Sequence, residues 1–161
     1  MSPEDLARQG NIQDGGFDAW PAIPPFGWNF DSAPGGGGEI AELGPGKGSA
    51  LHVTYDGRKD QWLVRQLLVL PPGDYRLTGR YRAAKTGVSE WRLICQGPPQ
   101  AVAVLPVVST QNQWRDFALN LTIPADGCSG QMLSLQGIPA KLDAPTEAWF
   151  DDIALVSRNA G

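Results

Sequence analysis

The sequence predicts an all-β protein, an antiparallel jelly-roll-like β-sandwich, on three observations. Short apolar runs alternate with polar residues at period two, the mark of strands with one buried face. The 20 glycines and 14 prolines are dispersed between those runs, where a strand-and-turn chain needs them. No amphipathic helical stretch follows residue 10. With 161 residues, 42% of them hydrophobic, the chain is long and apolar enough for one domain with a sizeable core.

In chain order, Ser2 to Gly10 reads as a short helix. Ser2 is the N-cap, Pro3 takes the first helical position, Glu4 and Asp5 meet the positive dipole end, and Gly10 closes it. A lone helix of this length is marginal in water. Residues 1–10 are therefore expected to be a linker or the end of a preceding helical segment, 11–158 the sandwich and 159–161 a tail. Phe17 opens the first strand after the Asp14-Gly15-Gly16 turn, Pro21, Pro24 and Pro25 forbid ladder pairing, and Phe26 to Phe30 is a short strand. Gly35 to Gly38 and Gly44 to Gly48 read as flexible loops.

Leu51, Val53 and Tyr55 then share a face opposite His52 and Thr54. Leu63 to Leu70 is a more continuous apolar strand, stopped by Pro71-Pro72-Gly73-Asp74. Tyr75, Leu77, Gly79 and Tyr81 face the core, with Arg76, Thr78, Arg80 and Arg82 opposite. Trp91, Leu93 and Cys95 alternate with Arg92, Ile94 and Gln96. Val102 to Val108 contains Pro106, which marks an edge or bulged strand. Phe117 to Ile123, Met132 to Gln136 and Trp149 to Val156 complete a set of about ten strands, with turns at sandwich-like spacing.

Several function classes are disfavoured. The net charge of −4 argues against a general nucleic-acid binder. No apolar run reaches membrane-spanning length. His52 is the single histidine, which makes a His-rich metal site or a conventional triad hard to assemble. Gly44 to Ala50 superficially suggests a phosphate loop, but Gly48 follows Lys47 where Ser or Thr is needed, and a strand comes next. Asp151-Asp152 would point to opposite faces of a strand and so could not flank one glycosidic bond. No Gly-x-Ser-x-Gly elbow occurs. The sequon Asn120-Leu121-Thr122 lies in a predicted strand, where chance explains it best.

The segment after Met1 is polar and acidic, without an apolar leader. That suits either a cytoplasmic protein or a piece of a longer exported one. The second is the expectation, and it places the domain in an extracellular or periplasmic setting. Cys95 and Cys128, each at a strand edge, could then pair as a disulfide, the alternative being two buried thiols acting as small apolar residues.

Three segments resemble a known group. Asp14-Gly15-Gly16-Phe17-Asp18, with Trp20 close behind, resembles the opening strand of calcium-binding jelly-roll carbohydrate-binding modules of the galactose-binding-domain-like group. Leu70 to Leu77 resembles their central hairpin, and Trp149-Phe150-Asp151-Asp152-Ile153-Ala154-Leu155 their closing strand. Trp114 also fits their pattern. The segments fall in the same order across roughly residues 11 to 156. The cysteine placement and the Arg-rich strand also resemble domains appended to tetratricopeptide arrays in some bacterial proteins.

The first resemblance implies a structural calcium ion held by Asp18 and Asp151, with carbonyls near Asn11 or Ile12. Asp18 departs from the usual Glu and has a shorter arm. The alternative is that these acids cap turns or pair with arginines. It further implies a non-catalytic carbohydrate-binding module for a polysaccharide or oligosaccharide. Trp20 and Trp62, beside Pro/Gly-rich or charged segments, are the expected sugar-stacking residues. Trp28, Trp114, Trp149 and Trp91 are expected in the core. Arg76, Arg80, Arg82 and Arg92 lie on non-core faces, and if their strands are neighbours they form one basic cluster. Guanidinium forks bind carboxylates, so such a cluster points to acidic polysaccharide. The alternatives are a solvated face crossed by salt bridges and, for the whole domain, an accessory protein-interaction or structural role beside the neighbouring domains of a larger bacterial protein. An enzyme has no supporting residue set.

Overall fold

The computed structural model describes residues 28–30, 34–43 and 48–158. The expected helix at Ser2 to Gly10, the Phe17 strand, Asp18, Trp20, the domain boundary at residue 11 and the tail from 159 lie outside the described residues. Ten strands follow in chain order: β1 (Asn29–Phe30), β2 (Gly36–Glu42), β3 (Ser49–Tyr55), β4 (Gln61–Leu68), β5 (Gly73–Ala83), β6 (Ser89–Gln96), β7 (Gln100–Pro106), β8 (Arg115–Ile123), β9 (Gly130–Gly137) and β10 (Thr146–Ser157). Among the described residues there is no helix, and so none long and apolar enough to cross a membrane.

The strands form two five-stranded antiparallel sheets. The front sheet has the order β2-β3-β10-β5-β8 and the back sheet β1-β4-β9-β6-β7. From β3 to β6 and again from β7 to β10, each successive strand lies in the other sheet. That is the jelly-roll sandwich the alternation predicts. The inner faces meet on Leu51, Val53, Leu63, Leu77, Leu93, Leu133, Leu135, Phe150, Ile153 and Leu155, all buried. Aromatic rings knit the centre: Trp91 meets Phe150 edge-on at 5.3 Å, and Tyr81 stacks near-parallel on Phe150 at 6.1 Å.

Pro106 ends β7, which is an edge strand, and its pairing with β6 slips between Leu93 and Ile94. Both features let a residue without an N–H sit at a ladder's margin. Cys95 and Cys128 form a disulfide, joining the end of β6 to the segment before β9. Beside it, the buried Gln131 side chain accepts from the Leu70 N–H at 2.8 Å and donates to the Cys128 carbonyl at 2.8 Å. The loop after β4 is thereby tied to the bridge.

One expected loop is a strand. Gly36 to Gly38 opens β2 and pairs with Tyr55, Thr54 and Val53. A Cβ at Gly36 would come within 2.8 Å of Leu63 and of the Thr54 carbonyl, and one at Gly38 within 3.1 Å of Phe30. The glycines serve close packing of an edge strand over the core rather than flexibility.

Candidate functional site

Strand β10 organises the front face. It pairs with β5 in register until Asp151↔Arg80, then resumes at Ala154↔Thr78, so one extra residue is accommodated. Asp152 takes a positive φ of 52° at this bulge. Ile153 and Leu155 point inward beyond it, while Ala148 and Phe150 point inward before it. The bulge therefore reverses the parity of the strand. Counted back from Ile153 by strict alternation, Trp149 belongs in the core. In the structure it stands half-buried on the outer face.

That placement corrects the expectation for two tryptophans. Trp28 and Trp91 are core residues, at 2% and 3% exposure, but Trp149 and Trp114 are not. They belong to a row that crosses four strands of the front sheet and ends at the start of the fifth. Glu39 of β2 pairs across to His52 of β3, His52 to Trp149 of β10, and Trp149 to Arg82 of β5. Trp114 follows, one residue beyond the last β5–β8 pair, Tyr81↔Arg115.

The row is held by stacking and charge. The His52 ring stacks on Trp149 at 4.2 Å, with 24° between planes. His52 Nδ1 is 2.9 Å from Glu39 Oε1, and its Nε2 is 3.5 Å from Glu147 Oε1. On the other side of Trp149, Arg82 Cζ lies 5.1 Å from the ring centroid, and 5.7 Å from that of Trp114. The two indoles are thus within about 11 Å of one another, near two strand spacings of about 4.8 Å. Where the row reaches β2, Gly36 to Gly38, Glu39, His52 and Thr54 line a shallow, open depression.

Arg80 and Asp151 form a second row below the first. Arg80 Nη2 is 3.4 Å from Asp151 Oδ2, and its Nε is 3.1 Å from Asp152 Oδ2. The bulge brings both carboxylates onto one guanidinium, contrary to the opposite-face expectation for this pair. Asp151 Oδ1 accepts from the Asp152 N–H at 2.9 Å. Burial pushes the Asp151 carboxyl up to about 6, with the Asp152 charge adding to the rise, while that N–H and Arg80 pull it back. Asp151 therefore pairs with an arginine. Its expected calcium partner Asp18, and the carbonyls near Asn11 and Ile12, lie outside the described residues.

The remaining expected residues divide between the faces. Arg76 is exposed on the front sheet, in register with Asn120 and Val156. Arg92 is not part of a common cluster, because β5 and β6 belong to different sheets. It lies on the back sheet, with Nε 2.6 Å from Glu90 Oε2. Trp62 is also on the back sheet, with Arg65 Cζ 4.0 Å from its ring centroid. Trp20 lies outside the described residues.

No protein-family profile matches the chain, and no curated protein matches it. Solved structures do match. Over 91% of this chain and 99% of the other, it is similar to a family 4 carbohydrate-binding module, with TM-score 0.65 and 18% identity. It is similar to a family 22 xylan-binding domain from Paenibacillus barcinonensis over 95% of this chain and 97% of the other, with TM-score 0.62 and 14% identity. The chain has the fold of carbohydrate-binding modules. An arabinose-bound α-L-arabinofuranosidase matches 92% of this chain at TM-score 0.63 and 12% identity, but only 26% of that enzyme is covered. The carbohydrate-binding-module fold thus recurs there as one portion of a longer chain.

Proposed function

We propose that this protein is a non-catalytic carbohydrate-binding module whose glycan lies across the front sheet, along the row Glu39, His52, Trp149, Arg82 and Trp114. The observation that carries the proposal is the continuity of that row. Aromatic and polar side chains cross β2, β3, β10 and β5 of one sheet of this fold and continue to Trp114 at the start of β8. At the β2–β3 end its flank is small, with Gly37 and Thr54 in the neighbouring register position, while at the β10–β5 end the Arg80–Asp151 row lies beside it. An extended polymer needs such a track, and glycan hydroxyls need the mixed donors and acceptors it presents.

His52 and Arg82 flank the indole of Trp149, so its rim meets the ligand more than its faces. The track therefore works by hydrogen bonding and edge contact, and Trp114, with the Arg80 and Arg82 guanidinium carbons 4.8 and 5.7 Å from its ring centroid, closes its far end. The finer preference, acidic polysaccharide, is supported by Arg82 and Arg76, for which no carboxylate partner is found among the described residues. The calcium ion implied by the opening and closing strands belongs to the same proposal. An ion bound at Asp151 has to compete with Arg80 for its oxygens.

The test is affinity electrophoresis of the protein through gels of xylan, mixed-linkage glucan, galactan and their acid-bearing counterparts. Retardation by at least one polymer, abolished by Trp149→Ala and Trp114→Ala in folded protein and retained by Trp62→Ala, is the expected result. Absence of retardation by any polymer, or equal loss in Trp62→Ala, contradicts it.

A further inference from the structure

We infer that Arg82 receives a single carboxylate, and that the natural ligand is a largely neutral glycan carrying isolated uronic-acid residues. The inference rests on the carbohydrate-binding reading and narrows it to a ligand class.

The starting point is that Arg82, like Arg65, Arg76, Arg115 and Arg158, has no carboxylate partner among the described residues, and that it alone of these lies over two indoles. Arg58, Arg80 and Arg92 each have a carboxylate within 3.7 Å. Arg82 has neither an ion pair nor a hydrogen bond among the described residues. Its contacts are the rings of Trp149 and Trp114, which flank it from the strands on either side. A guanidinium carbon 5.1 and 5.7 Å over two ring centroids makes cation–π contacts, which consume none of its N–H hydrogen bonds. Aromatic flanks also hold the fork in place, so little entropy is lost when it binds. A fixed, unspent fork matches a planar carboxylate held by two parallel N–H···O bonds.

The surroundings limit how many anions the site accepts. Glu147, 61% exposed, stands one strand from Arg82, and Glu39, 66% exposed, three strands away at the far end of the row, both beside His52. Asp152, 66% exposed, stands on the other flank, holding Arg80. Arg80 is already matched by its two aspartates and has no charge to spare. One strand spacing, about 4.8 Å, is close to the length of one sugar in an extended glycan. A polymer with an acid on every residue would press its neighbouring carboxylates against these glutamates and Asp152. One acid flanked by neutral sugars meets Arg82 alone.

The probes are glucuronoxylan, the same polymer after chemical reduction of its carboxyl groups, and polygalacturonate, each titrated calorimetrically as soluble oligomers. Wild-type protein should bind glucuronoxylan about tenfold or more tightly than the carboxyl-reduced form, the equivalent of one charge-assisted fork. Arg82→Gln should bind both forms equally, at the affinity of wild type for the reduced polymer. Arg82→Lys should recover only part of the loss, because it restores the charge without the fork. Polygalacturonate should bind no more tightly than the reduced xylan. Equal wild-type affinity for the native and reduced polymers, with both lost in Trp149→Ala, overturns the carboxylate inference while leaving glycan binding intact. Tighter binding to polygalacturonate than to glucuronoxylan overturns the single-acid limit. Failure of all three probes to bind, with neutral glycans also failing, overturns both readings. The reduced-polymer comparison needs no variant, so it stands even if Arg82→Gln does not fold.

Discussion

The outer faces of the two sheets use similar residues to opposite ends. On the back sheet, Arg92 is closed against Glu90, Arg65 against Trp62, and Gln136 donates to Asp60. These contacts are short-range and finish within a neighbour or two. On the front sheet the contacts propagate from strand to strand, and Arg82 is left between two indoles with its rim unmatched. The difference teaches that counting arginines or tryptophans does not locate a site. What counts is whether their contacts stop at a neighbour or run on from strand to strand.

The sharpest way to break this comparison is by paired truncation. Trp149→Ala and Arg82→Ala should each weaken glycan binding by about tenfold or more, whereas Trp62→Ala and Arg92→Ala should change it less than about twofold. Calorimetric titration of the four variants, with circular dichroism to check folding, decides it. Equal losses on both faces would dissolve the distinction.

The disulfide offers the converse contrast. Cys95 and Cys128 are tied to strands of the back sheet, the sheet that does not carry the front row. Reduction should cost about 2–4 kcal/mol of stability, because the unfolded chain regains the freedom of a closed loop. Affinity below the melting transition should be unchanged. Denaturant titrations with and without reductant, paired with binding measurements, test both halves.

A smaller effect distinguishes Asp151 from the exposed Asp152 beside it. Burial lifts the folded-state value of Asp151 to about 6, from an ordinary 3.8. The native protein thus holds that proton more tightly than the unfolded chain does. Its contribution to stability is present in full below pH 3.8 and is lost as pH rises through about 6. Asp151→Asn removes this loss. The variant should therefore gain stability relative to wild type across that window, as read from melting temperatures at stepped pH. A constant difference between the two proteins would refute the shifted titration.

The smallest expected effect concerns calcium. If Asp18 and Asp151 share an ion, chelator should lower the melting temperature by a few degrees, since a ligand bound only to the native state stabilises it by mass action. Asp151→Ala should abolish the response. Identical melting curves with and without chelator would count against the ion.

Much of the fold was legible because burial enforces alternation. Tyr75, Leu77 and Tyr81 face the core and Arg76, Arg80 and Arg82 do not, as period two requires. Pro106 marked an edge because a missing N–H is tolerated only there. An even cysteine count at strand edges allowed either a Cys95–Cys128 bridge or two buried thiols, and the structure has the bridge. Three things were not legible. Sheet membership depends on crossovers, so nothing in the residues themselves put β5 and β6 in different sheets and separated Arg92 from Arg82. Gly36 to Gly38 read as a loop because glycine's freedom is visible in sequence, while the neighbours Leu63 and Phe30 that exclude a Cβ are not. Most consequentially, the bulge at Asp152 inverted the parity of β10. The front row turns on that one inserted residue. Two adjacent aspartates inside an otherwise apolar strand were its only trace in the sequence.

The most direct test of the central claim is a two-dimensional ¹H–¹⁵N spectrum of the tryptophan indole N–H groups, recorded while glucuronoxylan oligomers are added. Binding on the front row predicts that the indole signals of Trp149 and Trp114 shift progressively and saturate, while that of Trp62 stays in place. A saturating shift of Trp62, with Trp149 and Trp114 unmoved, would contradict the account.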